Sequence, residues 1–302
     1  MEKNKPKKYS STTMYSFANL YKPVKNILST GASDKVSISV NTKANPDFSV
    51  SMKGARSNEK GTVESSLSWS QKLKQGGVAY TVNGSLDQDA TVTVTTVANG
   101  VAKGLNADLT SKLKTTSADN KVTGNLDYTA EKFHLTGNFD YGLGKELVLS
   151  SSVAGKVVDG LVVGAEAQVQ GYPAVAEKKD LLKKYTIGAR YSLKNIHIAA
   201  QLEDSLKKIR VGYAQQIDES VSVAGEFSQT LAADQKPVFV IGSSYNIDKD
   251  SSVKANINTN GVVNATYTLT VNPRLTTAIT AETNVFKKDV PSKVGLSISY
   301  DA

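Results

Sequence analysis

From about residue 35 onward the chain alternates apolar and polar side chains in segments of about eight to eleven residues, separated by clusters of Gly, Asn, Asp, Ser and Lys. Val63, Leu67 and Trp69 oppose Thr62, Glu64, Ser66 and Ser68, and Phe133, Leu135, Phe139 and Tyr141 oppose Lys132, His134, Thr136, Asn138 and Asp140. Val263, Ala265, Tyr267, Leu269 and Val271 oppose Asn264, Thr266, Thr268 and Thr270. A period of two, broken by turn residues, predicts β-strands with one apolar face. Roughly nineteen such segments follow one another, near 35–43, 47–55, 61–70, 76–86, 90–98, 103–113, 121–130, 132–141, 145–154 and 157–170. The series continues near 183–193, 195–203, 206–215, 220–229, 236–246, 250–258, 261–271, 274–283 and 292–301.

Short links such as Ala130-Glu131, Gly142-Leu143-Gly144 and Asn260-Gly261 predict an antiparallel meander of sequence neighbours. One long connection, Tyr172 to Leu182, contains Pro173 and Glu177-Lys178-Lys179-Asp180. A sheet of more than about ten strands curls, splits or closes. A closed barrel this wide has an interior that side chains cannot fill, and its polar face is Thr, Ser, Asn and Lys. The consistent arrangement sets the polar face around an aqueous lumen and the apolar face against lipid, where closure satisfies every backbone hydrogen bond. The fold class expected is therefore all-β: a transmembrane antiparallel β-barrel of about 19 strands.

The beginning of the chain follows a different rule. Between Met14 and Thr30, Phe17, Leu20, Val24, Ile27 and Leu28 recur at helical spacing, which predicts a short amphipathic helix. Pro23 predicts a kink or break near Tyr21-Lys22, and Gly31 a stop. The organisation expected is a flexible basic leader over 1–13, the helix over 14–31 and the barrel over 32–302, with no further domain boundary.

Composition narrows the chemistry. No apolar run approaches the roughly 18 residues of a spanning helix, which leaves membrane crossing to strands. The basic start lacks the apolar core of a secretory signal, which a bacterial outer-membrane porin would need, and is not Arg-rich like a transit peptide. With no cysteine, and two histidines at polar strand positions that read as solvated, no metal site, cofactor site or enzyme constellation is expected. The formal net charge is +8, but the lysines are dispersed over alternating strands, which argues against nucleic acid and for an anion-favouring lumen. By strand parity the lumen-facing cations are Lys53, Lys112, Lys132, Lys184, Arg190, Arg210, Lys254, Arg274 and Lys293. Acidic residues of the same parity, including Glu64, Glu203, Glu226 and Glu282, offset part of that field, so weak selectivity is expected. Tyr128, Tyr141, Tyr191, Tyr245 and Tyr300, near strand ends, fit an interfacial girdle.

The last strand resembles the sorting signal of mitochondrial outer-membrane β-barrels: polar Lys293, then Gly295, then large apolar Ile298 and Tyr300. Phe17-Ala18-Asn19-Leu20 with Lys22 and Gly31 resembles the opening helix of the voltage-dependent anion channel family. Gly164-Ala165-Glu166 leading to Gly171-Tyr172, and Asn260 to Asp301, are similar to later segments of that family. Its barrels have nineteen strands, so count and resemblance are a single observation. The resemblance implies first and last strands paired in parallel and the helix lying in the pore. It implies passive, voltage-dependent diffusion of ATP, ADP, phosphate and small ions across the mitochondrial outer membrane, with anions favoured. In that setting Lys22 and Lys25 would stand near the constriction, Leu20, Val24, Ile27 and Leu28 would dock on the wall, and Gly31 with Ala32-Ser33 would form a hinge. The partners implied are nucleotides and small anions as permeants, membrane lipid, the outer-membrane sorting and assembly machinery, and a homo-oligomer. Val82 stands where the family carries a membrane-facing glutamate. The competing expectation is the related protein-conducting pore of the outer-membrane translocase, which the basic balance disfavours.

Overall fold

The structure, a computed structural model, describes residues 16–31, 33–114, 120–143, 147–172, 182–231, 235–287 and 289–302. The leader over 1–13, Ala32 and the long connection after Tyr172 lie outside these residues. A single 3-10 turn, Phe17–Asn19, leads into helix α1, Lys22–Leu28. Nineteen strands follow. They begin with β1 Lys35–Asn45, β2 Phe48–Ser57, β3 Val63–Gln75, β4 Val78–Asp87, β5 Thr91–Ala102, β6 Leu105–Lys114 and β7 Lys121–Thr129. Next come β8 Phe133–Gly142, β9 Leu147–Val158, β10 Leu161–Tyr172, β11 Leu182–Leu193, β12 Ile196–Glu203 and β13 Lys208–Gln216. The last are β14 Val221–Thr230, β15 Val238–Asn246, β16 Ser251–Asn258, β17 Val262–Asn272, β18 Leu275–Asn284 and β19 Lys293–Asp301.

All nineteen form one sheet in which sequence neighbours pair. The sheet closes where β1 meets β19 in parallel, in register from Val36↔Leu296 to Asn41↔Asp301. An odd number of alternating strands leaves the first and last pointing the same way, so the closing pair has to be parallel.

The turns explain where strands stop. Asn45, Asp87, Asp218, Asp248, Asn258, Asn272 and Asn284 each accept a hydrogen bond on the side-chain oxygen from the backbone N–H two residues on. This closure bends the chain at a strand end without help from the partner strand. Other turns rely on glycine at positive φ, and these correct the expected boundaries. Strand β3 runs on to Gln75, not 70, because Gly76 and Gly77 at φ 59° and 82° make the turn. The β9–β10 turn falls at Asp159-Gly160, Gly160 having φ 83°, rather than near 155.

The outward face is apolar: Ile38, Met52, Leu126, Ile241 and Ile279 are each more than half exposed. The inward face is lined by hydroxyls and amides, with cross-strand pairs Thr95–Thr110 at 2.8 Å, Thr136–Ser152 at 2.6 Å and Thr266–Thr280 at 2.9 Å. This inversion of a soluble protein's burial places lipid outside and water inside. Four of the five girdle tyrosines, Tyr128, Tyr191, Tyr245 and Tyr300, end odd-numbered strands at one rim, and Tyr141 lies at the other. His134 is 5% exposed, not solvated, because its Nε2 sits 2.9 Å from the Asp127 carboxylate of β7.

Candidate pore and its docked helix

Pro23 lies in the first turn of α1, where its missing N–H leaves no intrahelical bond unmade, so the helix starts there instead of kinking through it. Of the kink or break expected near Tyr21-Lys22 the structure has the break, two short pieces joined at Leu20-Tyr21, and α1 ends at Leu28, before Gly31. Seven residues are too few for a stable free helix, and its stability comes from the wall it lies on.

The 3-10 turn packs on β9 and β10, and α1 crosses β12 to β16, inside the lumen. Leu20 and Val24 are fully buried, Phe17 and Tyr21 nearly so, and Ile27 and Leu28 pack partly buried beside them. Small apolar residues interrupt the polar lining of the wall beneath. Ala154, Ala199, Ala214 and Ala224 form the buried floor at inward positions. Glycines fill the rest of the track. An added Cβ would meet Phe17 Cδ2 at 2.9 Å from Gly164, Leu20 Cδ1 at 3.4 Å from Gly188, Val24 Cγ2 at 2.8 Å from Gly212 and Leu28 Cδ2 at 2.9 Å from Gly242. Alanine and glycine on the otherwise polar parity of β9 to β15 are the sequence signal that could have located this bed.

Wall side chains also satisfy carbonyls that the short helices leave open. Arg190 Nη1 donates to Asn19 O at 2.9 Å, Lys254 Nζ to Asn26 O at 2.8 Å and Asn256 Nδ2 to Leu28 O at 2.6 Å. Sequence reasoning missed Asn256 and Tyr21. It assigned Arg190 to the open lumen, whereas the guanidinium is 6% exposed beneath the docked segment. Arg210 is bracketed by Glu203 at 3.0 Å and Glu226 at 3.5 Å and lies 5.2 Å from the centroid of the Tyr21 ring. Burial first, and then the negative charge of Glu226, push the Tyr21 phenol well above the ordinary range.

The remaining cations divide by place. Lys53, Lys254 and Lys35 border one chamber of about 500 Å³ beside the C-terminal end of α1, together with Thr266, Thr280 and the carboxylate Glu64. Lys35 is paired with Glu64 at 2.9 Å. Lys22 and Lys25 are exposed on α1, and no carboxylate lies within 4 Å of Lys22, Lys25, Lys53 or Lys112 among the described residues. Lys132 and Arg274 fall in the β7–β8 and β17–β18 turns, at the rim and not on the wall. Lys184 stands 4.0 Å from Asp204 near the opposite rim. At the seam Lys293 pairs with Glu59 at 3.2 Å and Glu282 at 3.7 Å, while Ile298 and Tyr300 lie on the outward face and Gly295 is buried. Gly31 is held in place: its N–H donates to Thr266 Oγ1 at 3.0 Å, and a Cβ would meet Thr280 Oγ1 at 2.5 Å.

Residues 13–295 match the family profile described as eukaryotic porin. Over 142 residues the chain is 27% identical to mitochondrial outer membrane protein porin 5 of Oryza sativa subsp. japonica, covering 46% of this chain and 49% of that protein. Over 297 residues it is 24% identical to the non-selective voltage-gated ion channel VDAC2 of Xenopus laevis, covering 95% of this chain and 99% of that one. The chain thus spans about half of the rice relative and nearly all of the Xenopus one. A solved mutant of Rh. blastica porin superposes with a TM-score of 0.50 at 10% identity, over 71% of this chain and 89% of that one, a likeness of fold alone.

Proposed function

Because the chain belongs to the eukaryotic porin family, we propose that it is a voltage-gated, weakly anion-selective channel for passive diffusion of ATP, ADP, phosphate and small ions across the mitochondrial outer membrane. The observation that carries this reading is a closed barrel with a hydroxyl- and amide-lined lumen, narrowed on one side by a docked basic helix. Lys22, Lys25, Lys53 and Lys112 supply positive potential without an ion pair among the described residues, although Lys53 shares its chamber with Glu64 and Lys112 lies within the electrostatic reach of Asp87, while Arg210 and Lys293 are paired with carboxylates. A lumen with a few uncompensated cations enriches anions without excluding cations.

Voltage acts on the helix. Each elementary charge carried across the membrane field changes a state's energy by about 2.3 kcal/mol per 100 mV, so lifting Lys22 and Lys25 off the wall biases the docked state. Gly31 is the pivot in this reading. The closing strand, with Lys293, Gly295, Ile298 and Tyr300, is what the sorting and assembly machinery reads, and self-association proceeds through the outward face. The named relatives are porins and a voltage-gated ion channel, which leaves the protein-conducting alternative without support.

The test is conductance in a planar bilayer under a salt gradient. Expected are a reversal potential displaced modestly toward the anion value, partial closure at both polarities, and an anion-to-cation permeability ratio reduced about twofold by Lys53→Glu. The chain has no cysteine, so a Val24→Cys/Ala224→Cys disulfide tests the moving helix alone. Gating that survives this tether removes the helix as the gate. A folded protein without conductance removes the channel reading itself.

A further inference from the structure

Arg56 breaks the pattern of the barrel's outer face. Its neighbours across β1 and β3 are Val36 and Val63, and it shares the outward parity of Val50 and Met52. Among the described residues it is the charged side chain with strand partners on both sides whose register sets it toward lipid. It is exposed, and no carboxylate lies within 4 Å of it among the described residues. The nearby acids have other partners, Glu59 with Lys293 and Glu64 with Lys35. Arg56 is the penultimate residue of β2, which places the guanidinium at headgroup depth, where a basic group on the lipid face is tolerated.

Directly below Arg56 on the same strand the wall is hollow. Gly54 faces outward with nothing within 4 Å of the place a Cβ would take, and Ser65 is its neighbour on β3. Together they form the floor of a groove of about 520 Å³ walled by Ile38, Met52, Leu67 and Leu86. Lys53, Asp87 and Gln88 also line the groove, Lys53 and Asp87 at lumen-facing parity, and Arg56 stands outside the lining, one outward position beyond Gly54. A largely apolar outward groove with a lipid-facing cation beyond its end has the polarity of a lipid with a negative head and a hydrocarbon tail.

We propose that this groove binds an anionic glycerophospholipid, its phosphate held by Arg56 and one acyl chain laid over Gly54. The larger apolar depression around Gly225 and Ile241 has no charge at either end that would select one lipid over another. The site depends on the barrel standing in a bilayer and not on what passes through it, so its test uses no conductance.

Trp69 provides the reporter. It is the sole tryptophan, on the outward face of β3, the next outward residue beyond Leu67. The full chain is reconstituted in phosphatidylcholine vesicles containing phosphatidylglycerol, with bromine on the acyl chains of one lipid or the other, and Trp69 quenching is read. Brominated phosphatidylglycerol is expected to quench as if enriched about fivefold over its share of the bilayer, the preference one basic residue gives an anionic headgroup. Arg56→Gln brings that enrichment to about one and raises quenching by brominated phosphatidylcholine correspondingly, because the two lipids compete for the groove. Gly54→Leu, which has room to fold, fills the groove and lowers quenching by the anionic lipid. Equal quenching by both lipids in the parent protein overturns the proposal. So does enrichment that survives Arg56→Gln but falls with Lys60→Gln in the adjoining turn, or quenching indifferent to Gly54→Leu.

Discussion

Tyr21 is 2% exposed, and its hydroxyl has no hydrogen-bond partner among the described residues. The raised pKa of the phenol follows from this burial and from Glu226 beside it. The sign of the pH dependence is fixed by this. Below about pH 10 the side chain is neutral whether the helix is docked or free, and docking is intact. Above that value the free helix releases the proton and the docked one keeps it, so docking weakens by about 1.4 kcal/mol per pH unit. A fluorophore on Ser29→Cys should therefore report undocking on the alkaline side of pH 10. Tyr21→Phe should abolish that transition and leave docking at neutral pH equal or tighter. Arg190 and Lys254 carry a related lesson. A basic residue of lumen parity suggests an anion site, but at a helix terminus its donors go to open carbonyls.

A strand of this barrel is defined by what ends it as much as by its alternation. Side chains two residues apart fix the face, and an Asn, Asp or glycine able to reverse the chain fixes the length. Strand β3 outruns its expected end because Leu73 continues the outward series until Gly76-Gly77 permits the turn. The helix is the opposite case, since its length is set by Pro23 and by the bed beneath it. Gly212→Leu should lift α1, because the new side chain meets Val24 and Tyr21 with strand backbone behind it, weakening docking by about 1–3 kcal/mol. Gly137→Leu, where nothing lies within 4 Å, should leave docking unchanged. The Ser29 fluorophore reads both variants, and far-ultraviolet circular dichroism should show an intact barrel in each.

Closure is a property of the whole molecule. Every strand backbone group faces either a neighbouring strand or a membrane without water, so the β1–β19 seam makes bonds that nothing else can replace. Ser297 sits at the middle of β19 and within that seam, paired with Ser37 and Ala278. Ser297→Pro deletes one donor and strands an acceptor, at a cost of about 1–3 kcal/mol. The urea midpoint of the refolded protein should fall accordingly. Ser292→Pro, one residue before the strand, should lower it less, because it removes only the exposed hydroxyl contact from Ser292 to Thr283.

Strand face and pairing order were legible in the sequence because the β period is local and each turn announces itself within a few residues, while the count of nineteen came together with the family resemblance. The inward parity of Lys53 and Lys254 and the apolar stripe of Leu20, Val24, Ile27 and Leu28 were legible for the same reason. The tertiary structure alone decided that Lys53 and Lys254 share one chamber, that Arg190 is buried under the helix, and that Gly54 opens a hollow beneath Arg56. These relations join residues more than two hundred positions apart, as with Lys254 and Asn26, whose separation is 228. Curvature and shear of a closed sheet set such meetings, and no local pattern of side chains encodes them.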